Sequence, residues 1–471
     1  MHAILSLQKL HDLKRSTMSH LLKKYLGLLL LHYLRLIARL KLARWRPHII
    51  GITGSAGKTS TMAAVAAVLA DSHQVKTSEK ANSESGIPLN ILGLYPKLYT
   101  TKDWLSLGVA AIPAPFRPTP IADTYVVELG IDGPTSPKNM SFHLGLVHPE
   151  IGVFTAVNTV HGQYFESWLQ SQGIVPNRNN VLAAIAEEKG KLITKLPKSG
   201  AAILNADEPY IAKYARKTRA TIYTFGSKKS ATVQLLETTH SSRGTTFSFS
   251  TKDAIGNVNF PQYLLPAHFG MSFAAALCVG LHSNLSLSSA CRSLKKNFVL
   301  PPGRATLIEG KHNTTILDSS YNSSPEPLID FLELLKEIPG KRKIALLGDI
   351  RELGSASASE HQRVGKIAVA TCEVAFLVGP AMHAHVLPLF QKTKKPAFVC
   401  SSAIDAAEKL EDYLQPGDTL LVKGSQNTLL LEIAIERLML HPEQAEAILC
   451  RRGKFWDRER RKLQSKVKIF Q

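Results

Sequence analysis

The sequence predicts an α/β protein in which a central phosphate-loop domain is followed by a C-terminal Rossmann-like parallel-sheet domain and preceded by a basic amphipathic helix. Three observations predict it. A short apolar run, a Gly-rich turn and an Ala-rich stretch follow one another between His48 and Ala70. From Ile344 to Val422, β-like and helical stretches alternate, the pattern of parallel strands joined by crossover helices. Residues 25–46 carry leucine at helical spacing among lysine and arginine. The 471 residues suit about three domains, and 44% apolar against 20% charged residues excludes global disorder. The five cysteines, Cys278, Cys291, Cys372, Cys400 and Cys450, form no C-x-x-C pair, which excludes a disulfide framework and a four-cysteine zinc ribbon and points to a reducing cytosol.

The net charge of +20 is concentrated at the ends, with +9 in residues 1–50 and +7 in residues 451–471. Basic ends suit an anionic surface. Tyr25 to Leu34 is uncharged, yet as helix it spans only ~15 Å against the ~30 Å of a bilayer core. It cannot cross a membrane, and no small-residue cleavage site follows it to make a signal peptide. Lys24, Leu28, His32, Arg35 and Arg39 share one stripe and Leu26, Leu29, Leu30, Leu34, Leu36, Ile37 and Leu40 the rest, so the helix from about Ser19 to Arg46 reads in two ways. Either it lies on an anionic membrane, with Lys23, Lys24, Arg35, Arg39, Lys41, Arg44 and Arg46 at the headgroups and Trp45 at the interface, or its apolar face packs on protein. Pro47 ends it.

His48 to Thr53 reads as a buried strand and Thr61 to Ala70 as a helix, with Gly54-Ser55-Ala56-Gly57-Lys58-Thr59-Ser60 between them. Backbone N–H groups of such a turn and the helix start form a cradle for phosphate, Lys58 would neutralise the β/γ-phosphates, and the Thr59 hydroxyl would sit on Mg²⁺. Ile52 stands where the general phosphate-loop pattern has its first glycine, leaving T-G-x-x-G-K-T-S. Thr124 to Val127 reads as a central parallel strand, and Glu128 at its carboxyl end is placed to bind a metal. His161 follows the strand Gly152 to Val157 in the same position. Ser167 to Asn180 reads as a loop insertion before the helix Val181 to Leu192. Arg243 to Phe260 alternates like a β-hairpin, and Pro301-Pro302-Gly303 marks a boundary. Beyond it Ile344 to Leu347, Val374 to Val378, Ala397 to Val399 and Thr419 to Val422 read as strands. The resulting division is 1–47 helical segment, 48–300 central domain, 301–450 C-terminal domain and 451–471 basic tail.

Thr53 to Ser60 resembles the nucleotide loop of the Mur ligases, the ATP-dependent amide ligases of peptidoglycan assembly. Asn82 to Leu89, Tyr125 to Gly130, Ile151 to His161 and Asn205 to Pro209 resemble further segments of that family. Pro302-Gly303-Arg304, Asp318 to Pro325, Leu347 to Gly354 and Lys423-Gly424-Ser425 resemble its D-alanyl-D-alanine-adding branch. The family carries a UDP-binding domain where this sequence has 47 residues that read as a basic helix. The resemblance implies a cytoplasmic ligase that joins D-Ala-D-Ala to a muramyl-peptide precursor with ATP and Mg²⁺, through an acyl phosphate.

By the same resemblance Gly54 to Ser60, His268, Arg304 and Asp318 bind ATP, with Arg304 and Asp318 closing onto it. Thr59 and Glu128 hold one Mg²⁺, and His161 with a lysine carbamylated by CO₂ holds a second. Lys189 is that lysine, with Lys191 the second choice. Lys58, His161, Lys189 and Arg304 are the catalytic residues, and Tyr321, Asn322 and Lys423 meet the dipeptide. Gln426 stands where an arginine commonly follows Lys-Gly-Ser. A monomer with no nucleic-acid partner is expected. Two alternatives stay open: a related ligase with another amino-acid or polymer substrate, and a non-catalytic membrane-tethered scaffold.

Overall fold

The computed structural model describes residues 25–469 apart from 80, 98–99, 119–120, 159–161, 242–243, 262, 339, 352, 354–355 and 426–428. The described residues fall into two compact units. The first holds those up to Leu235 with Phe249–Gly256 and Met271–Phe298, and the second holds Leu236–Ser248, Asn257–Gly270 and the residues from Val299 on.

The strands of the first sheet are β1 (His48–Thr53), β2 (Val75–Thr77), β3 (Thr124–Glu128), β4 (Ile151–Phe154), β5 (Ala201–Asn205), β6 (Thr221–Gly226), β7 (Val233–Ser241), β8 (Gly244–Ser250) and β9 (Ile255–Phe260). Their order is β2-β3-β1-β4-β5-β6-β7-β8-β9, with parallel pairing from β2 through β6. Parallel strands covered on both faces read as unbroken apolar runs, and Tyr125, Val126 and Val127 of β3 are fully buried. From β1 the chain runs to β2 and β3 on one side and then crosses to β4 on the other, so the carboxyl end of β1 is a topological switch point.

The N-terminal helix spans 25–45 and belongs to the first unit's core: Leu34, Ala38 and Trp45 are buried in one cluster with Leu92, Leu107 and Tyr125. Two of its charges, Arg35 and Lys41, turn inward, whereas Arg39, Arg44 and Arg46 stay exposed. Arg35 stacks on the Phe142 ring 3.7 Å from its centroid, buried Lys41 donates to the Arg117 and Pro118 carbonyls (2.8 and 2.9 Å), and Trp45 donates its indole N–H to the Ala122 carbonyl. Leu29, Leu36 and Leu40 face outward, 67%, 55% and 49% exposed. Periodicity gives two faces but not which one a neighbouring loop rich in free carbonyls will take. Among the described residues no helix is long and apolar enough to cross a membrane.

The expected loop at Ser167 to Asn180 is largely helical instead. Gly162–Ser171 forms a helix whose Phe165 and Leu169 are buried, an i, i+4 pair. The next helix, Arg178–Thr194, begins earlier than its apolar run because Asn177 and Asn180 form a reciprocal capping box.

The second unit's sheet has β10 (Thr306–Gly310), β11 (Thr314–Asp318), β12 (Lys343–Gly348), β13 (Val374–Val378), β14 (Ala397–Cys400) and β15 (Thr419–Lys423), in the order β10-β11-β15-β12-β13-β14. All pairs are parallel except β10 with β11, which makes the expected parallel sheet a mixed one. The β10–β11 hairpin escapes the sequence patterns because Lys311–Asn313 makes its turn without glycine, His312 and Asn313 taking φ 58° and 53°.

Candidate active site

The phosphate-loop segment leaves β1 at the switch point and is held by the end of β4. Ser55 N–H donates to the Ala156 carbonyl at 2.8 Å, and the Thr155 hydroxyl donates to the Ala56 carbonyl at 2.6 Å. Gly54, at φ 151°, lies so close to Thr155 that a Cβ would come within 2.0 Å of its hydroxyl oxygen. Gly57 takes φ 77° as the residue before the helix Lys58–Leu69, a conformation that costs glycine little. That helix starts three residues earlier than expected, which puts Lys58, Thr59 and Ser60 in its first turn.

Glu128 ends β3 beside that turn and is buried. Its carboxylate accepts from the Thr59 hydroxyl at 2.8 Å and from the Asn82 amide at 3.1 Å, and Lys58 Nζ stands 3.9 Å away. Thr59 and Glu128 therefore present hard oxygen ligands side by side. Mg²⁺ takes few protein oxygens and keeps water and phosphate oxygens for the rest, so this donor set fits it.

Lys189 Nζ donates to the Gly54 carbonyl at 3.1 Å. Gly190 makes this possible by lying flat against Tyr214, where a Cβ would come within 2.2 Å of the ring, so the helix Arg178–Thr194 turns Lys189 toward the loop. Burial, helped by the like charge of Lys58, pulls the Lys189 amine down to about 7. Lys191 points elsewhere and pairs with Glu188 at 2.5 Å. A cleft of about 80 Å³ brings Lys58, Asn82, Asp132, Lys138 and Lys189 together with Gly54 and Ser55. His161 lies outside the described residues.

The second unit gathers another set of expected site residues. Arg304 stacks over the Tyr321 ring at 4.7 Å. Lys423 is buried, donates to the Ser319 hydroxyl (3.1 Å) and the Asn322 carbonyl (3.0 Å), and is lowered to about 7 by burial and then by Arg304. Asp318 is fully buried and accepts from Ser320 N–H at 2.9 Å; desolvation raises its carboxyl. Arg451, the first residue assigned to the basic tail, is buried against Glu432 at 2.9 Å and donates to the Tyr321 carbonyl. His268, expected at ATP, pairs with Asp330 at 2.7 Å and stacks on Phe269.

Asn82, Asp132 and Lys138 were not among the expected site residues. Asn82 lies in the Asn82 to Leu89 segment, and its contact with Glu128 depends on Gly130 N–H donating to its carbonyl at 3.0 Å. Asp132 follows β3 by four positions, where the strand-end rule that selected Glu128 also applies. No pattern marks Lys138, which pairs with Asp132 at 3.5 Å. His143 braces the same loop by donating to the Gly130 carbonyl at 2.7 Å; burial drops it to about 4, leaving it neutral near pH 7.

Residues 52–280 match the Mur ligase middle domain, and residues 303–426 match the Mur ligase glutamate ligase domain. The chain belongs to the Mur ligase family. Among its Mur ligase relatives, the UDP-N-acetylmuramoyl-tripeptide--D-alanyl-D-alanine ligase of Synechocystis is 28% identical over 85% of this chain and 77% of its own length. The enzyme of the same name from Escherichia coli is 25% identical over 82% and 75%. In fold, the chain is similar to the MurF ligase from Thermotoga maritima in complex with ADP, with TM-score 0.68, 22% identity and coverage of 88% and 84%.

Proposed function

We propose that this chain is a cytoplasmic ATP-dependent ligase that joins D-alanyl-D-alanine to the terminal carboxylate of a muramyl-peptide precursor of peptidoglycan, as the names of its relatives describe for them. The observation that carries this reading is the convergence of the phosphate-loop segment, Lys58, Thr59 and Glu128 at one switch point. A carboxylate does not react with an amine at neutral pH until its oxygen becomes a good leaving group. An acceptor carboxylate oxygen attacks the γ-phosphorus of ATP and ADP departs, giving an acyl phosphate. The dipeptide amine then attacks the acyl carbon, phosphate leaves, and the nitrogen gives up a proton. Phosphoryl transfer asks the protein mainly for positioning and charge neutralisation. Mg²⁺, when bound, neutralises phosphate charge.

In this reading residues 48–300 form the nucleotide domain and 301–450 the ligase domain. Lys58 and the amides of Gly54 to Ser60 hold the triphosphate, and Thr59 and Glu128 hold Mg²⁺. Lys189, once its neutral amine has added to CO₂ and lost a proton, would with His161 supply the ligands for a second ion. His268, Arg304 and Asp318 serve ATP, and Tyr321, Asn322 and Lys423 serve the dipeptide. A non-catalytic scaffold would have no need of a buried Glu128 framed by Lys58, Thr59 and Asn82. The test is an ATP-dependent ligation assay offering D-Ala-D-Ala with nucleotide-linked and lipid-linked muramyl-peptides in parallel. Amide formation with either supports the reading. ATP turnover only with a different amine or acceptor overturns it in favour of a related ligase.

Peripheral contact with an anionic membrane belongs to the same proposal. Its basis is the outward row Leu29, Leu36 and Leu40, with Tyr25 and Leu26 also exposed, next to the basic sequence that ends in Lys23 and Lys24. Each basic residue near such a surface contributes ~1 kcal/mol, so binding is expected to be reversible and salt-sensitive. The full chain should float with phosphatidylglycerol vesicles, and the triple variant Leu29→Glu, Leu36→Glu, Leu40→Glu should stay at the bottom of the gradient. Equal behaviour of the two chains removes the membrane contact. Self-association abolished by the same variant assigns the leucines to a second copy.

A further inference from the structure

A second cleft, of about 380 Å³, lies between the helix 25–45 and the segment 136–142, lined by His32, Arg35, Arg39, Ser136, Asn139 and Ser141. That volume is in the range of small-molecule sites. Arg35 is the unusual member. It is 7% exposed, its ring contact with Phe142 fixes the guanidinium plane, and its Nη1 is buried with no hydrogen-bond partner in the structure. Buried donors are ordinarily paired, and an unpaired charged one is costly.

Arg39 lies one helical turn away and donates from both Nε (3.1 Å) and Nη2 to the Gly145 carbonyl, which leaves Nη1 outside that contact. No carboxylate is among the residues lining the cleft. Two guanidiniums therefore share one concavity with hydroxyl and amide groups, the His32 ring and the apolar Leu36 and Phe142. Arginine forks match phosphate oxygens, and hydroxyls and amides can satisfy the remaining lone pairs.

We infer that this cleft binds a phosphate group of the acceptor substrate, of the phosphate-ester or diphosphate class, through Arg35 and Arg39. The inference rests on the ligase reading for the identity of the acceptor, and on the geometry for the anion. The placement of the cleft supports it. Ile131, Asp132 and Lys138 border the cleft that holds Lys58 and Lys189, whereas Ser136, Asn139 and Ser141 border this one, so one short segment separates the two. An acceptor held by its phosphate here would extend its peptide carboxylate toward the phosphate-loop segment. Burial and the neighbouring Arg39 charge also bring the Arg35 guanidinium down to about 10, as expected of a cation held without a counter-ion.

The test titrates inorganic pyrophosphate, UDP and phosphatidylglycerol vesicles separately onto the full chain and onto Lys58→Ala, Arg35→Gln and Arg39→Gln, with thermal melts to check folding. Lys58→Ala isolates the cleft from the phosphate-loop segment, which also attracts pyrophosphate. The expected result is pyrophosphate binding that survives Lys58→Ala and weakens tenfold or more in Arg39→Gln, and in Arg35→Gln where that variant folds. UDP bound more tightly than pyrophosphate assigns the phosphate to a nucleotide-linked acceptor, and vesicle binding that survives Leu29→Glu with Leu40→Glu but is lost in Arg39→Gln assigns it to a lipid. In the ligation assay Arg39→Gln should raise the acceptor KM about tenfold with kcat within twofold and the KM for ATP unchanged. Pyrophosphate binding lost wholly in Lys58→Ala, or an acceptor KM unmoved in a folded Arg39→Gln, overturns the inference. Arginine-dependent pyrophosphate binding without ligation of any acceptor overturns the ligase reading and leaves the cleft an anion site.

Discussion

Lys58→Ala is expected to slow ligation at least a hundredfold while the protein stays folded. The Lys58 amine is mostly buried, with its side chain 19% exposed, and faces the same space as Glu128. A fixed positive group aimed at charge that develops during phosphoryl transfer contributes several kcal/mol, because nothing has to reorganise at the moment of reaction. The cost to folding is small by comparison, since Glu128 keeps its hydrogen bonds from Thr59 and Asn82. Single-turnover rates with saturating ATP, beside a melting curve, separate the two effects. A folded variant that ligates within tenfold of wild type removes the nucleotide from this loop. The substitution carries a second expectation: Lys58 is among the groups that lower Lys189, so its removal should move the Lys189 amine back toward the ordinary lysine range.

Lys189→Ala is expected to reduce ligation by a similar order, and the loss should be partly reversed by a small added carboxylate. At pH 7 an amine at about 7 is half neutral, on the order of a thousand times more than an unperturbed lysine, and only the neutral amine adds to CO₂. Activity of the wild type should therefore fall when CO₂ is stripped from the buffer and rise as pH climbs through about 7. The sign for stability follows from the same shift. The native state binds fewer protons than the unfolded chain from about 7 up to the ordinary lysine range, so the contribution of this group makes the fold more stable as pH rises across that window and less stable as it falls. Activity in Lys189→Ala that matches wild type and ignores both CO₂ and carboxylate takes Lys189 out of the site. Lys191 is poorly placed to replace it, being held by Glu188.

The readable parts of the site were local. A strand, a glycine turn and a helix start adjoin one another in the chain, so the cradle from Gly54 to Ser60 could be found from order and residue type alone. Glu128 could be found because a strand end in a parallel sheet is a known address for ligands. Asn82 and Lys138 could not, because each acquires its role only when a loop from elsewhere is laid beside β3. Lys189 stood between these cases. The sequence offered two lysines on one helix, and it is Lys189 that turns toward the phosphate-loop segment, beside Gly190, whose missing side chain lets that helix press on Tyr214.

The N-terminal helix shows the same division most sharply. Its spacing of leucine and arginine established a helix with two unlike faces, too short an apolar run to cross a bilayer, and the sequence by itself likewise determined the α/β class, the phosphate-loop segment and the family resemblance. The tertiary structure decided that Arg35, Lys41 and Trp45 turn inward while Leu29, Leu36 and Leu40 turn out. The physical reason is that a helix presents periodic faces through its own geometry, whereas burial is settled by what a face meets. Here it met the carbonyls of Arg117, Pro118 and Ala122 and the ring of Phe142, partners that suit donors and cations better than leucine and that no local pattern could have brought to it.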